Sequence, residues 1–471
     1  MALALLLILV AAVRSEGFHH PDEHFQVLEL AGAKLGLTPW SALPWEYEFR
    51  MRPWLQPALY TLMARGLGRV GVGDPFAWAF AFRLLSGILA WLGLVGLALC
   101  SRRWFSEAAA RRWAVRALVL AFFVPYLAVR TSAESLSTSC VVLALVLFVL
   151  RGGGPGRGTG LLAGALLGLA CGLRYATAVM VVSILCWLVL IGRERWSRLG
   201  WVALGMTAAV GLALLADRWG YGLWTLPAWS YVAHNFGEDV AAQRFGALPW
   251  YGYVVILCRG PFMPLNLVAA AGTVVAWVRY PRHVLTWATA PLTLVHCLIA
   301  HKELRFLFPV AMLAPLLLVL GLGGRPWRSR WVRALGVSLL ACDLLGLAAL
   351  CLLPARPQVS FLRYAARHFD QGPPVFLATP LSPWVSHGLT MHFYGSPPGM
   401  SRWQGGGSAG ADGTRRLDLV VFSWHGPPDT RPYACRPLYR SVPAWLSGRG
   451  WPRWASTPPP AWDVLRCVLP G

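Results

Sequence analysis

Apolar residues run along this chain in long blocks separated by short polar gaps. The blocks lie at roughly 1–13, 76–100, 114–130, 135–150, 160–173, 175–191, 199–216, 254–278, 284–300, 304–322 and 332–353. A helix needs about twenty apolar residues to cross a bilayer, so the pattern predicts a polytopic α-helical membrane protein with about eleven transmembrane helices. The first block has no basic leader and reads as an uncleaved span, with a cleaved signal as the alternative. The two short blocks around Arg174 read as two crossings or as a re-entrant pair. Two regions break the pattern. Residues 14–74 are too charged to cross and too aromatic for a linker, so they read as an external loop with amphipathic helices. Residues 355–471 read as a soluble piece that follows the membrane domain of residues 1–354. Apolar runs at 373–378 and 417–422 predict buried strands in it, and Gly405 to Ser408 predict a flexible loop. A small α/β C-terminal domain is expected.

Composition agrees with this class. The chain has 471 residues, 56% hydrophobic and only 13% charged, about half the charge of a soluble domain. The net charge of +22 is almost all arginine, since Lys34 and Lys302 are the only lysines. The arginines gather in alternate gaps. These are Arg102, Arg103, Arg111, Arg112 and Arg116, then Arg151 and Arg157, then Arg193, Arg195 and Arg198, then Arg279 and Arg282, and last Arg325, Arg328, Arg330 and Arg333. That distribution is the positive-inside pattern and excludes a nucleic-acid groove. It places the N-terminus in the cytoplasm. The 14–74 loop, residues 217–250, residues 301–305 and the tail are then on the opposite side. Arginine richness with so little lysine suggests a GC-rich, bacterial-like genome. Eight of the ten cysteines lie in or beside apolar runs, and no metal-ligand spacing occurs. No metal or cofactor is therefore expected. Cys435 and Cys467 lie in the tail and can pair if it faces an oxidising compartment.

Candidate chemistry sits in the segments assigned to the non-cytoplasmic side. In the first, Asp22 and Glu23 are adjacent, with His19, His20 and His24 beside them. One carboxylate can act as a general base while the other positions a hydroxyl or holds a proton, and like charges side by side push one pKa upward. The alternative is that Asp22 caps a helix. In the second, Asp217, Arg218, Tyr221 and Trp224 mix rings with hydrogen-bonding groups that suit sugar faces and lipid headgroups; an interfacial aromatic belt is the alternative. In the third, His301, Lys302, Glu303 and Arg305 crowd one membrane boundary, where ionisable groups are costly unless paired or functional. Lys302 and Arg305 can bind a lipid-linked phosphate. Arg52, Arg130, Arg174 and Arg259 stand near span ends on the same side. Glu134 reads as a partner of Arg130, and Asp343 has no evident role.

Taken together, these segments resemble glycosyltransferase family 22. His20, Pro21, Asp22 and Glu23, then Trp45 and Glu46, then Arg52 and Pro53, match its first external motif. Asp217, Arg218 and Trp219 with Tyr221, Gly222, Trp224 and Thr225 look like the second. His301, Lys302 and Glu303 with Arg305, Phe306 and Pro309 look like the third. The tail run from Phe376 to Pro380 with Ser386 and His387 is similar to the branch that adds the third mannose of the GPI anchor. Arg174 is followed by Tyr175 where the family has proline, and the tail run lacks a cysteine. The resemblance implies a GT-C fold, a multi-pass membrane location, and an active site on the luminal or periplasmic face. The membrane is the endoplasmic reticulum for a eukaryotic source or the inner membrane for a bacterial one. It also implies an inverting α-mannosyltransferase that takes mannose from a polyprenyl- or dolichyl-phosphate donor to a glycolipid or lipid-linked glycan. Asp22 and Glu23 are the expected catalytic pair, with Asp22 as base and the reverse order open. His20, Glu46, Arg52, Asp217, Arg218, Tyr221, Trp224, His301, Lys302, Glu303 and Arg305 are the expected substrate-binding residues. The alternatives are transfer of another sugar in envelope glycan synthesis, or a transporter or lipid flippase. A transporter would place its charges at the membrane midplane.

Overall fold

The computed structural model describes residues 1–151, 156–237, 240–323, 330–369, 372–395, 400–403, 416–422, 428–443 and 461–469. The glycine-rich segment 405–408, Arg325 and Arg328 lie outside them. The chain divides into two compact units, and neither is continuous in sequence. One comprises Met1–Ala12, Trp45–Leu62 and Ala81–Leu352; the other comprises Val13–Pro44, Met63–Phe80 and Leu353–Gly471. The acidic motif therefore belongs with the C-terminal segment, although sequence grouped it with the helical part.

The first unit is helical. Among the described residues, five helical stretches are long and apolar enough to cross a membrane: Pro75–Trp104, Ala133–Leu150, Trp196–Tyr221, Leu304–Leu322 and Arg333–His368, the last of which leaves this unit after Leu352 and consists of helices Arg330–Leu352 and Pro357–His368. Shorter apolar helices include Ala2–Arg14, Arg157–Leu173, Met263–Arg279 and Val284–Leu298. Without a hydrophobic drive between helices in lipid, close backbone approach supplies the packing energy. Helix Arg157–Leu173 shows how. Gly160, Gly164, Gly168 and Gly172 recur every fourth residue and lie on Trp196–Tyr221. A Cβ at Gly164 would stand 2.0 Å from the Val202 carbonyl oxygen, and one at Gly205 would stand 2.1 Å from that of Leu161. Any side chain at either position would force the helices apart. Asp343 also finds its role here. Its Oδ1 accepts the Phe122 N–H at 3.1 Å, where the chain breaks between helices Ala108–Leu120 and Val124–Ala128.

The second unit is built on a sheet. Its strands are β1 (Val375–Leu377), β2 (Val385–Ser386), β3 (Leu389–Thr390), β4 (Ser401–Arg402), β5 (Arg416–Phe422), β6 (Ala434–Arg440) and β7 (Trp462–Val468). Five form one sheet in the order β4-β1-β5-β7-β6, with β1 parallel to β4 and β5 and the rest antiparallel. β1 and β5 fall on the two apolar runs noted above. β5 is central and buried along nearly its whole length, which is why its sequence is almost continuously apolar. Its one acidic residue, Asp418, is held by Arg466 on β7 through two contacts of 2.7 Å. Cys435 and Cys467 face each other on β6 and β7 and are joined as a disulfide. Helix Pro357–His368 is amphipathic and buries Val359, Phe361, Leu362 and Ala365; the Phe361 ring lies 5.8 Å from that of Trp462.

Candidate functional site

In the second unit the acidic motif begins a helix. Pro21 stands in the first turn, where its missing N–H costs nothing. The N-cap is His20, whose Nδ1 accepts the Asp22 N–H at 3.3 Å; Asp22 is not the cap. Glu23 turns inward, is 2% exposed, and accepts the His19 N–H at 2.9 Å. Asp22 is only partly buried, its carboxylate 3.5 Å from His20 Nδ1. A π-helical turn, His24–Leu28, follows and buries His24.

Glu29, in the helix after that turn, is the hub of this region. It accepts His24 Nε2 at 2.7 Å and Thr38 Oγ1 at 2.5 Å. It also accepts the His392 and Phe393 N–H groups at 2.8 and 3.1 Å. Burial alone would raise its pKa, but His24 and the other donors hold it below the usual carboxylate value. The His24 ring stacks on Tyr394 at 5.5 Å. Sequence reasoning missed Glu29 and Thr38. The available signal was an acidic residue alone in an apolar helical run, which demands buried donors.

The hairpin between β2 and β3 also bears on the motif. His387 and Gly388 make its turn, both with positive φ (54° and 78°). For histidine this is a strained conformation, of the kind that clusters at functional sites. The His387 pKa is lowered by burial and by nearby Arg356, while His20 and Asp22 also act on it electrostatically.

The first unit gathers the other candidates into two groups. In one, Asp217 Oδ1 accepts the Trp54 N–H at 2.8 Å. The Tyr221 hydroxyl donates to the Arg52 carbonyl at 2.8 Å and accepts the Arg52 N–H at 3.2 Å. Asp217 and Tyr221 thus grip the backbone of residues 52–54 from one helix face, with Gly220 between them against the Trp54 ring. The Arg52 guanidinium reaches Glu46 at 3.4 Å and lies over Tyr231 at 5.8 Å. Arg218 lies 6.0 Å from the ring of Trp224, which is 68% exposed.

The other group is a chain of alternating charges. Buried Glu134 bridges Arg174 at 3.0 Å and Arg305 at 3.2 Å. Arg305 also pairs with Glu303, which meets His301 Nε2 at 2.8 Å. That contact outweighs burial, which acts the other way, and raises the His301 pKa. Lys302 donates to the carbonyls of Leu248 at 3.0 Å and Ile299 at 2.5 Å. The ion pairs of Glu134 thus include Arg174 and Arg305.

The architecture is similar to a solved structure, ArnT from Cupriavidus metallidurans bound to undecaprenyl phosphate. The TM-score is 0.53 at 14% identity, covering 98% of this chain and 96% of that one. The likeness shows the GT-C glycosyltransferase fold, and the five long apolar stretches fit a membrane protein. The chain belongs to the Alg9-like mannosyltransferase family, whose model matches residues 1–379. Among relatives, it is 25% identical over 317 residues to Mannosyltransferase APTG1 of Arabidopsis thaliana, covering 65% of this chain and 55% of that protein. It is 26% identical over 300 residues to GPI alpha-1,2-mannosyltransferase 3 of Danio rerio, covering 62% and 53%. The chain thus spans about half the length of the curated relatives it matches.

Proposed function

We propose that the protein transfers mannose from a polyprenyl- or dolichyl-phosphate carrier to a glycolipid acceptor, forming an α-mannosidic bond with inversion. The named relatives suggest an α-1,2 bond on a GPI-type precursor. In the reaction proposed, Asp22 takes the proton of an acceptor hydroxyl as its oxygen attacks the anomeric carbon. The bond from that carbon to the carrier phosphate breaks, and the phosphate leaves with the electron pair. Charge grows on the phosphate in the transition state, where fixed cations are most effective. Arg52, Lys302 and Arg305 are the cations assigned to it. Glu46, Asp217, Tyr221 and Glu303 act through the positions of Arg52 and Arg305. Glu23 and His20 orient the Asp22 turn, while Arg218, Trp224 and His301 contact substrate. The active side is luminal or periplasmic, and about eleven helices cross the membrane; residues 355–471 are a soluble luminal or periplasmic domain.

The observation that carries this reading is the division of labour in the acidic motif. Glu23 and Glu29 are buried on donors, while Asp22 keeps a fifth of its side chain exposed. The test is product analysis. Purified protein is incubated with mannosyl-phosphoryl-polyprenol and a mannosylated glycolipid acceptor. The expected product is one hexose heavier and sensitive to α-mannosidase. Turnover only of a different sugar-lipid, or transport without any new bond, overturns the reading.

A further inference from the structure

We infer that a basic groove at the end of helix Pro75–Trp104 is a binding site for an anionic phospholipid of the membrane. The groove encloses about 590 Å³, within the ~300–1,000 Å³ usual for small-molecule sites. Two chemistries line it. Val95 and Leu99 make an apolar wall on that helix, and Leu99 is 42% exposed. Arg102 from the last turn of the same helix, with Arg111, Arg112 and Arg116 from helix Ala108–Leu120, make the basic wall.

These arginines differ from the arginines that the fold pairs with acid. Arg174, Arg305 and Arg466 each meet a carboxylate. Among the described residues, Arg102, Arg111, Arg112 and Arg116 have no ion-pair partner. Glu107, next to the groove in sequence, makes none with them. Four like charges around one groove repel unless an anion sits among them. A phosphate diester suits guanidinium groups, which bind it through paired N–H bonds.

The apolar wall selects the source of that phosphate. The groove lies where a membrane-length helix ends in arginines, so its apolar wall reaches acyl-chain depth and its basic wall reaches headgroup depth. A soluble anion uses only the basic wall; a phospholipid uses both. The inference does not depend on which sugar the protein transfers.

Native mass spectrometry of the whole protein in detergent tests the site. The lipids are phosphatidylglycerol and phosphatidylcholine of identical chains, offered in equal amounts. The expected result is at least a fivefold preference for bound phosphatidylglycerol. The joint substitution Arg111→Gln, Arg112→Gln and Arg116→Gln should abolish that preference, and the corresponding lysine substitutions should keep part of it. Equal retention of both lipids by the wild-type protein overturns the inference without any variant. So does displacement of the lipid by millimolar inorganic phosphate, which would mark a plain anion site.

Discussion

Two charged regions of this chain look alike in sequence and behave differently in structure. In the helical unit, Glu134 and Glu303 are each engaged by arginine, and the series from His301 to Arg174 alternates in sign. In the unit that carries the sheet, Glu29 collects four donors and Glu23 is turned onto backbone, while Asp22 stays partly exposed. The first region uses its carboxylates to hold helices together inside an apolar setting. The second uses two carboxylates as scaffold and presents a third. Charge at a membrane boundary is therefore no guide to chemistry until its partners are counted.

The comparison can be broken at its most buried point. Glu29→Ala removes a carboxylate that is 1% exposed and leaves His24 and Thr38 without an acceptor. Loss of about 3–5 kcal/mol is expected, read as a large drop in melting temperature in detergent. Because the folded pKa of Glu29 is lowered from 4.5, its stabilisation is fully present above that value. It is lost as pH falls through the lower folded value, so wild-type protein should weaken only in acid below about pH 4. A melting temperature unchanged by Glu29→Ala would remove Glu29 as the hub.

Glu134→Gln sharpens the other half. It leaves Arg174 and Arg305 sharing a weaker acceptor, and a loss of about 2–3 kcal/mol is expected. Substrate affinity should suffer through misplaced Arg305 even at temperatures where the fold persists. A variant with wild-type melting and wild-type donor dependence would contradict the network.

The smallest effect belongs to the end of that network. His301→Gln should cost about 0.5–1 kcal/mol, as for a partly exposed pair. The His301 pKa is raised above 6.5, so its contribution is full below that value and fades as pH rises through the raised folded value. The stability difference between wild type and His301→Gln should therefore shrink between neutral and alkaline pH. A constant difference would mean that His301 is held by packing alone.

The sequence made some of this legible and not the rest. Hydropathy marked the helical blocks because a bilayer demands long uninterrupted apolar runs, and the same logic found β1 and β5. It grouped Val13–Pro44 with the helices because the chain passes directly from one to the other. The partners of that segment, such as Phe393 and Tyr394, lie hundreds of residues away. The acidic pair was visible as a motif, yet which carboxylate stays partly exposed depends on His20 taking the cap. Asp217 and Tyr221 stood out as polar residues for substrate, and the structure has them gripping residues 52–54. Spacing shows that two residues share a helix face but not what lies opposite.

The central claim is that Asp22 is the base, and a single substitution addresses it most directly. Transfer rates of purified wild-type protein and Asp22→Asn are compared at saturating donor, with melting temperature measured on the same samples. Asparagine keeps the size of the side chain and its partly exposed position, so equal melting is expected. A loss of at least about 10³-fold in rate is expected for removal of a general base. Equal melting with a rate within about tenfold of wild type would contradict the account.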